Sequence, residues 1–501
     1  MRKITLLFLL NLALFGRTIS QNGYDITINV KNNSDTMMYL VRTMFDRQYV
    51  SDTCKNIKNG VVRFKGKKNL EKGVYTLVNQ DKAIYFDFMI NEGSKFSISF
   101  DRKDIANTLK ASGSKENERM FEYLSFMSLK NKEFNDTRDA YKGKKDSAEK
   151  VAAQISKMTD DVKKYEEVFM AKVKGTFVYD FMNMKMEKEA KDVPLASNGR
   201  PDSVYRYYYY KNHFFDGVDF KDDRILTIPF FDDRVKRYFD GVIFQYSPDS
   251  LIKEIDKVMG MCKEQGMVYN ILLGHFTYKY ETDKRMGFDK VFVHIADNYI
   301  TNGKAKDVYS EETVQKIKER TDVLRNLLLE SKASELFMID TLDGKKVSKL
   351  GFDTVTTSKS ATDLYNKHSN LLLPLFKTLY TVNAKYTVLV FWDVDCGHCQ
   401  TEVPKLSEEL KRIKGKIDYK VLAIYTKDEF EKWRKFVIDK KLDFINLYDP
   451  VHINNMKDKY DIIATPVIYV LDKDKKIKGK KLSAEQVPDL LEMLEKQSQE
   501  K

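Results

Sequence analysis

Two cysteines in the last third of the chain have a spacing that permits redox chemistry. They form Cys396-Gly-His-Cys399, which directly follows an apolar segment at residues 387–392 and precedes a stretch with helical periodicity. A cysteine at a helix N-terminus faces unpaired N–H groups and the positive end of the helix dipole, so its thiolate is favoured and attacks a disulfide sulfur. The second cysteine, one helical turn on, lies within reach to resolve the mixed disulfide. The pair therefore predicts thiol–disulfide exchange.

The sequence also permits other interpretations of the cysteines. The pair is also compatible with a static disulfide. Metal binding is a further alternative, but no second ligand pair stands nearby at a zinc-like spacing, so we expect no metal and no cofactor. Cys54 and Cys262 fall in different predicted regions. We interpret them as buried free thiols, with an interdomain disulfide or a redox relay to Cys396 as the alternatives.

Strands and helices alternate around the pair. The continuous apolar run at 387–392 predicts a buried strand, and 419–425 and 467–471 predict two more. Thr426 and Glu429 have the spacing of a capping box for the following helix. Helical stripes are formed by Val403, Leu406, Leu410 and Ile413, and by Val487, Leu490, Leu491 and Leu494. The order predicts a βαβ unit followed by ββα, with helices covering both faces of a small sheet.

The segment 391–399 resembles the thioredoxin superfamily. Pro404 lies five residues beyond the second cysteine, and Thr465-Pro466 precedes a strand, which is the order of motifs in that family. The resemblance covers about residues 334–501. Together with a leader-like N-terminus, it is similar to the TlpA/ResA-like exported thiol–disulfide oxidoreductases of Gram-negative bacteria. The two earlier regions resemble, more weakly, uncharacterised β-rich and helical modules of exported proteins of the Bacteroidota type.

The resemblance implies roles for individual residues. Cys396 would be the attacking thiol and Cys399 the resolving thiol. Pro466 would be a cis-proline that presents the backbone of Thr465 to a substrate strand. Trp392 would back the site and belong, with Thr465 and Pro466, to the substrate-binding residues. The implied partners are protein thiols and disulfides and a thiol–disulfide electron donor.

Three departures from the family pattern concern the chemistry of the pair. Val390 occupies the place of the buried aspartate of cytoplasmic thioredoxins, which leaves the proton acceptor for Cys399 unassigned. Asp395 precedes the first cysteine and should oppose thiolate formation, whereas a charged His398 should favour it. The Gly-His dipeptide resembles that of disulfide isomerases, whose potential lies near about −180 mV against about −270 mV for thioredoxin. This favours oxidase or isomerase work, while the family context favours a reductase.

The rest of the chain predicts two further domains behind an export signal. Arg2 and Lys3, an apolar run at 4–15 and small residues before position 21 are typical of a signal peptide at residues 1–20, which predicts a periplasmic or cell-envelope location. Period-two alternation predicts a β-sandwich-like domain at 21–112. Helical periodicity, including a seam of Val151, Ile155, Met158, Val162, Tyr165 and Phe169, predicts a helical domain at 113–333. The thioredoxin-like domain follows at 334–501. The fold class is thus multi-domain α+β, with an antiparallel β domain, an all-α domain and an α/β thioredoxin fold.

Charge and hydropathy exclude other broad classes. The formal charge is +12, but both signs alternate along the chain and no long basic run is interleaved with aromatic residues, so nucleic acid is not an expected partner. No segment after residue 20 is apolar enough to span a membrane. We expect an exported oxidoreductase that exchanges disulfides with proteins, and lean to a reductase. The alternative is a non-enzymatic envelope binding protein that uses the thioredoxin fold as a scaffold.

Overall fold

A computed structural model describes residues 23–141, 148–355 and 357–500 of the chain. The predicted signal peptide lies outside these residues. The chain divides into two compact units, one reaching to Leu273 and the other comprising Gly274–Lys501. The predicted domain boundaries at 112 and 333 stay predictions.

The first unit begins with eight strands in two four-stranded sheets. They are β1 (Tyr24–Lys31), β2 (Met38–Met44), β3 (Arg47–Cys54), β4 (Val61–Gly66), β5 (Gly73–Asn79), β6 (Ile84–Ile90), β7 (Lys95–Asp101) and β8 (Lys110–Ser112). The sheet orders are β4-β1-β7-β8 and β3-β2-β5-β6. Alternation along the strands buries one face, as Ile26, Ile28 and Phe64 show. The predicted antiparallel β domain is confirmed, except that β1 and β7 pair in parallel.

Helices follow the sheets. They are α1 (Ile105–Thr108), α2 (Lys115–Ala140), α3 (Ala148–Val173), α4 (Phe177–Lys185), α5 (Ser203–His213), α6 (Phe231–Lys236), α7 (Pro248–Met261) and α8 (Met267–Glu281), the last of which contains the division between the units. The predicted seam lies on α3, where Tyr165 stacks on Phe126 of α2 with ring centroids 3.6 Å apart. Of the seam only Phe169 is buried, and helix α3 packs on both α2 and α4. The predicted all-α region is confirmed.

The second unit contains a seven-stranded mixed sheet. Its strands are β9 (Phe337–Asp340), β10 (Lys377–Thr378), β11 (Tyr386–Trp392), β12 (Tyr419–Tyr425), β13 (Ile445–Tyr448), β14 (Val467–Leu471) and β15 (Ile477–Lys480), in the order β10-β9-β13-β12-β11-β14-β15. Strands β11, β12 and β13 are parallel, and β14 runs antiparallel to β11. This confirms the predicted thioredoxin fold.

Helices and loops cover both faces of this sheet. The helices are α9 (Asp289–Ile295), α10 (Glu311–Arg325), α11 (Gly344–Val347), α12 (Ser358–Leu372), α13 (Gly397–Lys411), α14 (Phe430–Asp439), α15 (Met456–Lys459) and α16 (Gln486–Gln499). Every residue of β11 is buried, because its odd and even positions enter two different cores. One core holds Val390 with residues of α13, α14 and α16, and the other holds Phe391 with Leu327 and Tyr460.

One local prediction near the cysteine pair is wrong. Thr426 and Glu429 do not form a capping box, because α14 begins only at Phe430 and Glu429 is itself the N-cap. The Thr426 hydroxyl instead donates to the carbonyl of Trp392, 3.1 Å away. This hydrogen bond ties the loop after β12 to the end of β11.

Candidate functional site

The cysteine pair lies where β11 ends and α13 begins. Cys396 is the N-cap of α13, and its sulfur accepts the N–H of Cys399 at 3.3 Å. The turn before it is local in origin: the Asp395 N–H donates to Asp393 Oδ1 at 3.0 Å, an Asx-type contact that aspartate side chains make readily. The Cys396 N–H then donates to the Asp393 carbonyl at 3.2 Å. The sulfur thus takes the acceptor position at a helix N-terminus, where a negative charge is stabilised.

A second loop reaches the same sulfur. The Thr465–Pro466 peptide bond is cis, as the resemblance implies. Strand β14 begins directly after it and pairs with β11 through Phe391 and Val467. Because this register aligns the end of β11 with the start of β14, the Cys396 S–H reaches the carbonyl of Thr465 and donates to it at 3.2 Å.

The two sulfurs differ in exposure and in acidity. Cys396 is partly exposed, whereas Cys399 is 0% exposed and belongs to the core beside Val403. Partial burial raises the pKa of Cys396, but hydrogen bonds from Cys399, from the side chain of Thr465 and from the backbone of His398 together lower it below the ordinary cysteine value. Burial, with the hydrogen bond to Cys396, raises the pKa of Cys399 to about 12. The outer thiol is therefore the more acidic and the more accessible of the two, and the inner one is held as a thiol.

The two polar neighbours of the pair are exposed. Asp395 contacts Lys432 of α14 in an ion pair. The hydrogen bond from Lys432 lowers the pKa of the Asp395 carboxyl, so Asp395 stays ionised, and the Lys432 ammonium offsets part of its effect on the Cys396 thiolate. The ring of His398 points to solvent, and it makes no side-chain hydrogen bond within the part of the chain that the structure describes.

Trp392 does not form part of an accessible surface. Its side chain is 0% exposed and packs against Tyr425 and Phe436, with ring centroids 6.1 and 5.3 Å away. The expected substrate-binding role is therefore corrected, because a fully buried ring cannot contact a visiting protein. Trp392 supports the loop of Cys396 from the core side, which is what an inward-facing position at the end of a central strand dictates.

Two residues near the pair were not found from the sequence. Lys432 lies 37 positions from its partner Asp395, and no local pattern joins them. Glu402 lies one helical turn after Cys399, a spacing that places two side chains on the same helix face and that was available as a signal. Its Oε2 accepts the Ala484 N–H at 3.0 Å.

The other two cysteines of the chain are buried and form no disulfide. Cys54 and Cys262 are buried, and all four cysteines of the chain are free thiols. Burial raises the pKa of Cys262 to about 12, and its S–H donates to the carbonyl of Val258 at 3.4 Å. Among the residues that the structure describes, no three His, Cys, Asp or Glu side chains form a metal-binding group.

Three separate parts of the chain match family models. Residues 377–480, which contain the pair and Pro466, match the AhpC/TSA family. Residues 142–326 match a domain of unknown function, DUF5106, and residues 24–120 match another, DUF4369. No curated protein matches the chain.

Solved structures of bacterial proteins are similar to parts of the chain. A domain of a possible thiol-disulfide isomerase from Cytophaga hutchinsonii is 35% identical, with 35% of this chain and 98% of that chain covered and a TM-score of 0.27. A thioredoxin-like protein from Bacteroides caccae is 18% identical, covering 61% of this chain and 99% of its own, with a TM-score of 0.41. The thioredoxin domain of a thiol-disulfide oxidoreductase from Bacteroides vulgatus is 21% identical, covering 34% and 97%, with a TM-score of 0.25. By its family match and its identity to the first of these, the C-terminal part of the chain belongs to the thioredoxin superfamily, preceded by two domains of unknown function.

Proposed function

We propose that the chain is an exported thiol–disulfide oxidoreductase that acts on protein disulfides through Cys396 and Cys399, in the direction of reduction. The observation that carries the proposal is the asymmetry of the pair. Cys396 is partly exposed with a lowered pKa, and Cys399 is buried behind it with a raised pKa. A scaffold without chemistry has no need of this arrangement, so it supports exchange over the binding-protein alternative.

The geometry supports a two-step reduction. The Cys396 thiolate attacks one sulfur of a substrate disulfide; a mixed disulfide forms and the other substrate sulfur leaves as a thiolate that takes a proton from solvent. Cys399 then loses its proton and attacks the Cys396 sulfur, which releases the second substrate thiol. The substrate disulfide gains two electrons, and the protein is left with a Cys396–Cys399 disulfide. A thiol donor must reduce that disulfide to close the cycle.

The residues around the cysteine pair have separate roles in these steps. The Thr465 backbone, whose carbonyl lies 3.2 Å from the Cys396 sulfur, pairs with the extended substrate segment. We assign Glu402 to accept the proton of Cys399, because it lies one turn further along the same helix. Asp395 and His398 set the charge around the attacking sulfur. The partners are protein disulfides and an electron donor of the same thiol chemistry.

Export rests on the N-terminal sequence. Two basic residues followed by an apolar run at 4–15 are the features of a secretory signal. Within the described residues, no helix combines the length and apolar character needed to cross a membrane. We therefore assign the protein to the periplasm or cell envelope, where protein disulfides occur.

Insulin reduction by the full chain with a small dithiol tests the chemistry. We expect the wild-type protein to catalyse it and Cys396→Ser to be inactive. Cys399→Ser should accumulate a mixed disulfide with substrate, and the buried Cys262→Ser is the matched control that keeps activity. Equal activity of the wild type and Cys396→Ser would refute the proposal. A reduction potential near that of the isomerase class would reverse the proposed direction of electron flow while leaving the exchange chemistry intact.

A further inference from the structure

A buried carboxylate lies at the base of the loop that carries Thr465. Asp461 comes four residues before Thr465, and its side chain is 2% exposed. Its backbone has a φ of 51°, a left-handed conformation that a residue other than glycine adopts at a steric cost. Such a position is held by what surrounds it, and here the side chain has two cationic partners.

Arg320 and Lys481 hold this carboxylate from two directions. Arg320 of α10 contacts Oδ1 through Nη1 and donates to Oδ2 through Nη2 at 3.0 Å. Lys481, just after β15, donates to Oδ2 at 2.9 Å. The two contacts from Arg320 form a bidentate pair, which fixes orientation as well as distance, whereas a lysine supplies a point charge.

Helix α10 is itself fixed against the sheet. Val323 packs on the core that contains Phe391 of β11, and Leu327, shortly after the helix, is part of that core. The guanidinium of Arg320 therefore projects from a packed helix and not from a loose surface segment. Any displacement of Asp461 relative to the sheet strains the pair.

The loop between Asp461 and Thr465 is anchored at both of its ends. Tyr460 is fully buried and its hydroxyl donates to the Ser334 carbonyl. The Ile463 N–H donates to the Asp461 carbonyl at 3.0 Å. The side chain of Ile462 is buried in the core that contains Phe391, whereas that of Ile463 is 81% exposed. At the other end the chain enters β14, whose Val467 pairs with Phe391, so the pairing of β14 and the contacts of Asp461 together set the position of the Thr465 carbonyl.

We propose that Arg320 is a positioning residue for thiol–disulfide exchange: through Asp461 it fixes the loop 461–465 so that the Thr465 backbone meets both the Cys396 sulfur and an extended protein substrate. The inference rests on the proposed function. Arg320 belongs to the residues 142–326 that match the DUF5106 domain, so a helix of that otherwise unassigned region contributes to the thiol site.

The consequence of removing Arg320 differs between substrates. Lys481 alone keeps a single contact, so the buried carboxylate loses its fixed orientation and the loop gains freedom. For a protein substrate that pairs with the Thr465 backbone, the binding surface is then less ordered, so the KM for this substrate rises. A small aromatic disulfide that needs only the Cys396 thiolate makes no strand contact, so its rate stays unchanged.

The test compares Arg320→Gln with Arg325→Gln in the full chain. Arg325 lies on the same helix but pairs with Asp297 and Asp322, away from the loop. For Arg320→Gln we expect KM for insulin to rise about three- to tenfold, less than the loss of a charge-assisted hydrogen bond made directly to the substrate, because the change reaches the substrate only through the loop. We expect kcat and the rate on the small disulfide to stay within about twofold of wild type. Hydrogen exchange of the amides of residues 462–465 should accelerate. Arg325→Gln should change neither the KM for insulin nor the exchange of these amides.

Further variants keep the test decisive. Arg320→Lys, which retains the charge without the bidentate geometry, should give an intermediate KM. Asp461→Asn should reproduce the effect of Arg320→Gln, and the double variant should add little to either. Unchanged KM and unchanged exchange in Arg320→Gln would overturn the inference, as would an equal loss on both substrates. If the wild-type protein reduces neither substrate, the proposed function fails, and the exchange of residues 462–465 still decides whether Arg320 holds the loop.

Discussion

The ion pair of Asp395 and Lys432 should affect the pKa of Cys396 through its two charges. Asp395 directly precedes Cys396 and is paired with Lys432, and both side chains are about half exposed, at 54% and 53%. Asp395→Asn removes the negative charge next to Cys396 in sequence and leaves the Lys432 ammonium with Glu429 as its remaining ion-pair partner. Lys432→Gln removes the positive charge and leaves the Asp395 carboxylate without this partner. The first variant should therefore lower the pKa of Cys396, and the second should raise it.

The size of these shifts follows from Coulomb's law. Two charges about 7 Å apart in water interact by about 0.6 kcal/mol, which corresponds to about 0.4 pKa units. Screening over about 8 Å at physiological salt reduces this to about 0.2 units. We expect shifts of about 0.2 to 0.4 units of opposite sign for the single variants. The double variant should return close to the wild-type pKa, because it removes both charges.

The assay is the rate of alkylation of Cys396 as a function of pH, at low and at physiological salt. Lys435→Gln is the matched control, since Lys435 lies on α14 beyond Lys432 without contacting Asp395 and should leave the profile unchanged. Shifts should shrink as salt is added. A raised pKa in Asp395→Asn, or shifts of the same sign in both single variants, would refute the view that the pair acts through charge.

Two further predictions concern reactivity and packing. At neutral pH, iodoacetamide should modify Cys396 and spare Cys399, because burial raises the pKa of Cys399 to about 12; peptide mass mapping checks this, and equal labelling would contradict it. Trp433→Ala should lower the free energy of unfolding by about 3–5 kcal/mol in urea titration, because the ring is fully buried and stacks on Tyr425. Ile438→Ala, on the same helix but 59% exposed, should stay within about 0.5 kcal/mol of wild type.

The parts of the site that are local in sequence could be predicted. The strand before Cys396 and the helix after it follow from an apolar run and a helical stripe, and the structure has both. Sequence order cannot reveal how deeply one strand end is buried, because that depends on what packs over it. Trp392 was therefore placed behind the site correctly but was wrongly expected to contribute to the substrate-binding surface.

Contacts between distant segments could not be predicted. Arg320 and Asp461 are 141 residues apart, and Lys432 and Asp395 are 37 apart. Each is one of many charged residues in a chain where both signs alternate, so neither has a pattern that selects its partner. The same holds for the parallel pairing of β1 with β7, since period-two alternation gives the buried face of a strand but not the direction of its neighbour.

The ion pairs of the second unit bear on what the helical region is for. Lys480 of β15 is 7% exposed and contacts Asp289 of α9, and Asp461 is held by Arg320 of α10. A fragment beginning at residue 334 would leave both buried charges without these partners, and breaking a buried pair costs more than the pair contributes. Residues 274–333 are thus part of the packing of the thioredoxin-like sheet, whatever family model they match. If α10 also fixes the loop before Pro466, residues 274–333 are a component of the thiol site and not a neutral spacer.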